Sequence, residues 1–374
     1  MSMDLQIDFN AEAREKIWKR YIKDIPDNHF LFLPSCILGV GYPGSEAMMP
    51  RLFDYLKLDW NWNLGPESVC TCCSAITYHG DVATIESTLL TIARLWSIAQ
   101  EAGYKDLAVS CVTSFGMHNE CLELYHHEPG LKKKIDRMLM EACGRKFELP
   151  EHIIHVSDLI YKYRHDLAGS MKYRLINKKS DNPLQVVDHV GCHYNKLFPV
   201  DKSLGGAEYC EVLTGMVKAY GGTEIDYPER RHCCGMGFRQ CMISPNRGYS
   251  MACVKKKMES MELFMPDFIV TNCPGCQIML DKEQWAIKEL AGKDYSIPVL
   301  TYMELGGLLL GWDPYDIVGI QFHTVPVEPL LDKIGIPYDE TKLWLGKNGQ
   351  ILNCPDPIRK YTLAAGEEKK GQLL

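Results

Sequence analysis

A chain of 374 residues, 46% hydrophobic and 24% charged, is long enough to bury a substantial core, as two ordinary domains or one domain written twice. The net charge is −7 and basic residues come only in short runs such as Lys132-Lys133-Lys134 and Lys255-Lys256-Lys257. This excludes the basic patch of a nucleic-acid binder, and the runs read as solvated helix faces. No apolar run is long enough to span a bilayer, so no transmembrane segment is expected, and the polar, acidic N-terminal stretch does not resemble a secretory signal.

Sixteen cysteines in a chain expected to be cytoplasmic point to metal binding or redox chemistry, because disulfides are disfavoured there. Their spacing decides more than their number. Residues 1–27 read as a helical extension, with Ile17, Trp18 and Tyr21 on one side of a short amphipathic helix. A first cysteine-rich unit follows over residues 28–176. The strand-like run Phe30-Leu31-Phe32-Leu33 leads into Cys36, the adjacent pair Cys72-Cys73 comes next, and a helical stretch runs from Val82 to Ala102. Asp106-Leu107-Ala108-Val109-Ser110 then delivers Cys111, and Ile153 to Leu159 closes the unit as a strand-to-helix phrase.

The stretch Asn177 to Pro183, rich in Lys, Ser, Asp and Asn, reads as the boundary. Beyond it, residues 184–325 repeat the pattern. Val186 to Gly191 leads into Cys192, the pair Cys233-Cys234 follows, and helical patterns run from Gly248 to Phe264 and from Gln277 to Leu290. Asp267 to Asn272 delivers Cys273-Pro274-Gly275-Cys276, and Pro298 to Leu305 closes this unit as Ile153 to Leu159 closed the first. Residues 326–374 have no counterpart and read as a C-terminal extension. The expected fold is therefore α/β: two tandem pseudo-symmetric units, each a small parallel sheet covered by helices. Each would hold a cluster site at the C-terminal ends of its strands.

Adjacent cysteines reach a single tetrahedral ion poorly, because their side chains diverge on extended backbone. Two neighbouring thiolates more easily reach two different irons, so a polynuclear iron–sulfur cluster fits each copy better than zinc. Gly235 after the second pair leaves room for a close approach, and the helix after Pro274-Gly275 would turn its N-terminal N–H groups towards an anionic cluster. One competing motif is set aside. Gly39-Val40-Gly41-Tyr42-Pro43-Gly44 matches a dinucleotide fingerprint, with Asp59 beyond it, but Pro43 disrupts the turn and no strand-like run leads into Asp59. Cys121, Cys143, Cys210, Cys241, Cys253 and Cys354 lie outside the motifs and read as small buried hydrophobes.

Cys192, Cys233-Cys234-Gly235 and Cys273-Pro274-Gly275-Cys276, together with the late segment Gln321 to Leu330, resemble the heterodisulfide reductase B-subunit family over roughly residues 30–330. The resemblance implies that Cys192, Cys233, Cys234, Cys273 and Cys276 surround a noncubane [4Fe–4S] cluster at which a disulfide is cleaved. The first copy departs from the pattern. It has Ser74 after Cys72-Cys73 and Ser114 where the second copy has Cys276, so Cys36, Cys72, Cys73 and Cys111 suffice for an ordinary [4Fe–4S] cluster, with Ser114 or Cys121 as conceivable fifth ligands.

His193 and His232 flank candidate ligands, as His189 does less closely. Either could donate a proton to a leaving thiolate or hold a cluster sulfur by a hydrogen bond. The resemblance further implies a ferredoxin-like iron–sulfur subunit and a flavin-containing subunit as partners. The substrate would be a disulfide, a thiol or, in a sulfur-oxidising branch of the family, protein-bound sulfur. A second reading is a non-catalytic relay subunit of a lactate- or glycerol-phosphate-type dehydrogenase, passing electrons towards quinone.

Overall fold

The computed structural model describes residues 22–64, 75–80, 82–195, 210–237 and 247–342. The first sheet contains β1 (Asn28–Leu33), β2 (Asp59–Asn61), β3 (Asp106–Val109) and β4 (His152–His155). The second contains β5 (Gln185–His189), β6 (Thr223–Ile225), β7 (Phe268–Thr271) and β8 (Val299–Thr301). All pairings are parallel, in the orders β2-β1-β3-β4 and β6-β5-β7-β8, so the α/β duplication expected from the sequence is present down to strand order.

The apolar runs form these strands because helices cover the sheets and bury the residues on both faces, as in β7, where all four residues are buried. β2 and β6 were not anticipated. Each has only three residues, Asp59-Trp60-Asn61 and Thr223-Glu224-Ile225, each at an edge and partly exposed, so neither carries an apolar run.

Helices connect the strands much as the periodicity predicts. Ile85–Glu101 is capped by Thr84, whose side chain accepts from the Ser87 N–H, and buries Leu89, Ile92, Ala93 and Trp96. The helical stretch expected over 277–290 is two helices, Pro274–Asp281 and Glu283–Ala291, separated by Lys282, which keeps helical backbone angles. The expected boundary is a tight turn rather than a loose linker. Asp181 N–H donates to Asn177 O and Asn177 N–H to Asn182 O, both at 2.8 Å, and Ile176 bridges Pro183.

One contiguous apolar core runs through both halves, and helices of each half pack on those of the other. Cys36–Gly41 meets Pro274–Asp281, Val112–His127 meets Cys192–Asn195, and Pro43–Tyr55 meets Tyr302–Leu310. The last of the fingerprint-like glycines serves this packing: a Cβ at Gly44 would stand 2.0 Å from the Val318 carbonyl oxygen. Asp59 begins β2, at the edge of the sheet opposite the cysteines, and its carboxylate meets His29 Nδ1 at 3.2 Å. No helix among the described residues is long and apolar enough to cross a membrane.

Candidate metal centre

In a parallel sheet of this order, the connections leaving β1 and β3 run in opposite directions, and so do those leaving β5 and β7. The crevice at such a switch point opens beyond the C-terminal strand ends. Those four strands lead into the single cysteines of the motifs. Cys36 follows β1 and Cys111 follows β3, while Cys192 follows β5 and Cys273 follows β7. Cys36 and Cys192 each open a short helix, and Cys111 and Cys273 stand at the N-cap positions of Val112–His127 and Pro274–Asp281.

In the second copy Cys192, Cys233, Cys234, Cys273 and Cys276 line one cavity of about 220 Å³. Cys234, Cys273 and Cys276 are buried, Cys192 is half-buried and Cys233 is exposed. Their sulfurs form a continuous chain of thiol contacts: Cys192 to Cys233, Cys233 to Cys234, Cys234 to Cys276 and Cys276 to Cys273. Hydrogen bonding from Cys192 and Cys234, and from the Gly235 N–H at 3.4 Å, holds the Cys233 thiol far below its usual range. Hydrogen bonding from Cys276 and from the N–H groups of Cys276 and Gly275 lowers the Cys273 thiol. The donating thiols of Cys192, Cys234 and Cys276 are pushed up in turn.

Five sulfurs in such contact cannot all ionise without a cation among them, and a multi-iron core supplies that charge. The donor set therefore fits an iron–sulfur cluster. The backbone is shaped for the close contacts. Gly235 has φ +92°, and a Cβ there would stand 2.5 Å from the Ser250 carbonyl oxygen; a Cβ at Gly191 would stand 2.7 Å from Cys273 Cβ. Gly235→Ala is accordingly expected to cost about 1–3 kcal/mol and to lower iron retention, measured by anaerobic thermal unfolding and iron analysis.

The first copy is seen in part. Cys36 is exposed and Cys111 buried, whereas Cys72 and Cys73, with Ser74, lie outside the described residues. Ser114 is buried in the first turn of Val112–His127, and Cys121 lies fully buried in the apolar core further along the same helix. Of the other cysteines outside the motifs, Cys210 is buried as expected but Cys143 and Cys253 are exposed, so the buried-hydrophobe reading fails for those two. Cys241 and Cys354 lie outside the described residues.

The histidines separate. His193 lines the cavity and stacks on His79, with ring centroids 4.9 Å apart. Burial, then the neighbouring His79, pushes the His193 imidazole down to about 4. His232 is exposed and does not line the cavity. His189 is buried, with a ring nitrogen within 4.8 Å of the Cys234 and Cys276 sulfurs, closer to the site than its sequence position suggests. His323 lies away from the cavity, bonded to Glu304 at 2.9 Å.

Several contributors had no sequence signal, because they reach the second-copy cavity from the first half. His79, Val112 and Thr113 all line it. Behind the cysteines, Arg230 pairs with the buried Asp188 at 2.5 Å and with Glu224 at 2.5 Å. Burial raises the Asp188 carboxyl above its usual range despite Arg230. Lys257 is also fully buried there, correcting the view of Lys255-Lys256-Lys257 as a solvated face; burial pushes its amine down to about 8. The helical period turns Lys257 onto the stripe of Ser250, Val254, Met258 and Met261, while Lys255 and Lys256 point outward.

The family model of a cysteine-rich domain, CCG, matches residues 186–281, from β5 through the helix Pro274–Asp281. Over 317 residues the chain is 28% identical to the B subunit of ferredoxin:CoB-CoM heterodisulfide reductase from Methanosarcina acetivorans, covering 84% of this chain and 99% of that protein. It is 30% identical over 308 residues to the protein of the same name from Methanosarcina mazei, covering 81% of this chain and 96% of that protein. Among solved structures, a hypothetical protein from Helicobacter pylori shares the fold at a TM-score of 0.57 and 8% identity, over 84% of this chain and 57% of that one.

Proposed function

Because the chain belongs to the heterodisulfide reductase B-subunit family, we propose that it is an iron–sulfur oxidoreductase component acting on a disulfide, a thiol or protein-bound sulfur at the second-copy cavity. The observation that carries this reading is the convergence of five cysteine sulfurs on one cavity that Cys233 leaves accessible. Chemistry on sulfur needs room beside the ligands, and the exposed Cys233 at the cavity leaves it.

Cys192, Cys233, Cys234, Cys273 and Cys276 would hold a noncubane [4Fe–4S] cluster, which supplies single electrons and a thiophilic metal when bound. Cys36, Cys72, Cys73 and Cys111 would hold a second, [4Fe–4S] cluster serving as the relay. His193, on the cavity wall beside His79, is the better placed of the two flanking histidines to meet a substrate sulfur. With no flavin or nicotinamide fingerprint in the sequence, electrons would pass through a ferredoxin-like subunit and a flavin-containing subunit.

Anaerobic, iron-supplemented preparation tests this. Iron and acid-labile sulfide are expected at about eight each per chain from cysteine ligation of two four-iron clusters. The EPR spectrum of the oxidised protein is expected to change on adding thiol. Zinc in place of iron would sink the proposal. Iron with a thiol-insensitive spectrum would instead favour the electron-relay reading.

A further inference from the structure

Lys257 lies on the helix Arg247–Glu262, behind the second-copy cysteines, with no exposed surface. Its ammonium donates to the Glu229 carbonyl oxygen at 2.5 Å, to Tyr227 Oη at 3.3 Å and at the limit to the Arg230 carbonyl at 3.5 Å. All three partners are neutral. Its neighbours Lys255 and Lys256 each pair with a glutamate at 3.6 Å, yet among the described residues no carboxylate oxygen lies within 4.0 Å of Lys257 Nζ. The nearby acid, Asp188, already holds Arg230 at 2.5 Å.

An ammonium buried without an anion is costly, so a fold that keeps one has its counter-charge close by. The helix that carries Lys257 packs on the cysteine pair: Ser250 Oγ donates to the Gly235 carbonyl oxygen at 2.5 Å, and a Cβ at Gly235 would stand 3.2 Å from Cys253 Cβ. Tyr227, Glu229 and Arg230 belong to the segment that leads into Cys233, so the same side chain also anchors the backbone carrying the cysteine pair.

We propose that Lys257 is the buried counter-charge of the metal centre formed by Cys192, Cys233, Cys234, Cys273 and Cys276, a positioning residue that raises the centre's reduction potential without ligating it. The inference rests on the iron–sulfur reading given above. Reduction adds negative charge to the centre, and a fixed positive charge in a low-dielectric surround stabilises the reduced form more than the oxidised one. A neutral side chain of similar length would remove that bias and leave the cysteines in place.

The test is a potentiometric titration of the full chain, followed by EPR, for wild type, Lys257→Met and Lys257→Gln, with iron content measured alongside. Methionine removes both charge and hydrogen bonds. Glutamine removes the charge but keeps an N–H donor for the Glu229 carbonyl. Both variants are expected to hold wild-type iron and to show a reduction equilibrium about tenfold less favourable, equal to about 59 mV for a one-electron couple. An unmoved potential in both variants would overturn the inference. So would a wild-type potential in the glutamine variant alone, since a hydrogen bond would then suffice. Iron loss from both would overturn it too, because Lys257 would then build the site rather than tune it. If the wild type itself holds no iron–sulfur cluster, it is the functional proposal that fails.

Discussion

Cys276→Ser is expected to lower disulfide turnover by about 100-fold or more, at least the loss that follows removal of a supporting group at other metal sites, while much of the iron stays bound. Cys276 is buried in the first turn of Pro274–Asp281, touching the sulfurs of both Cys234 and Cys273. Serine fits the same space, so the fold should survive; what is lost is the thiolate that lets a five-cysteine set differ from an ordinary four-cysteine one. The first copy already carries this change. Ser114 stands in the first turn of Val112–His127, three residues after Cys111, as Cys276 stands three after Cys273. Ser114→Ala should therefore change turnover by less than about threefold, the scale of a modest loss beside a ligand removal. Steady-state turnover and anaerobic iron analysis of both variants decide it. Normal activity in Cys276→Ser with a loss in Ser114→Ala would put the reactive site in the other half.

The duplication, and the strands that bring cysteines to one end of each sheet, were legible in the sequence because each depends on local order. A short apolar run ending in a cysteine predicts a buried strand with a thiol at its C-terminal end, and β1, β3, β5 and β7 are those runs. What was not legible depends on how the halves meet. His79, Val112 and Thr113 belong to the first copy yet line the cavity of the second, and no pattern along one copy signals that. Lys257 was legible in principle. Its place three residues after Val254 and four before Met261 puts it on the apolar stripe, but its membership of a lysine run masked the helical period. The glycines after Cys36 match a fingerprint that Pro43 already argued against, and the structure shows what one of them does instead. Gly44 is needed for contact with the Val318 carbonyl and Gly319, a packing role that a phosphate-binding pattern imitates.

Glu304→Ala is expected to destabilise the protein by about 3–5 kcal/mol, the range for breaking a buried charged network. Glu304 belongs to the helix Tyr302–Leu310 and is 1% exposed. One carboxylate oxygen meets Ser45 Oγ at 2.5 Å and His323 Nε2 at 2.9 Å. The other accepts from Gln277 Nε2 at 3.1 Å, the Thr301 N–H at 2.8 Å and Thr301 Oγ1 at 3.0 Å. Alanine would orphan Ser45 from the first half, His323 late in the second and Gln277 next to Cys276 at once, so iron retention should fall with stability. Burial alone would raise the Glu304 carboxyl, but His323, Ser45 and the Thr301 backbone overcome it and hold the carboxyl below its usual value. A carboxyl depressed in the folded state contributes stability that is present above the unfolded value of about 4.3 and is lost as pH falls through the folded one. The gap between wild type and Glu304→Ala should therefore not narrow as the pH falls from about 8 to 5.5, in anaerobic thermal unfolding of the iron-loaded proteins. A gap that narrows as the pH falls through that window would mean that Glu304 is protonated in the folded protein and that the network is held by neutral hydrogen bonds instead.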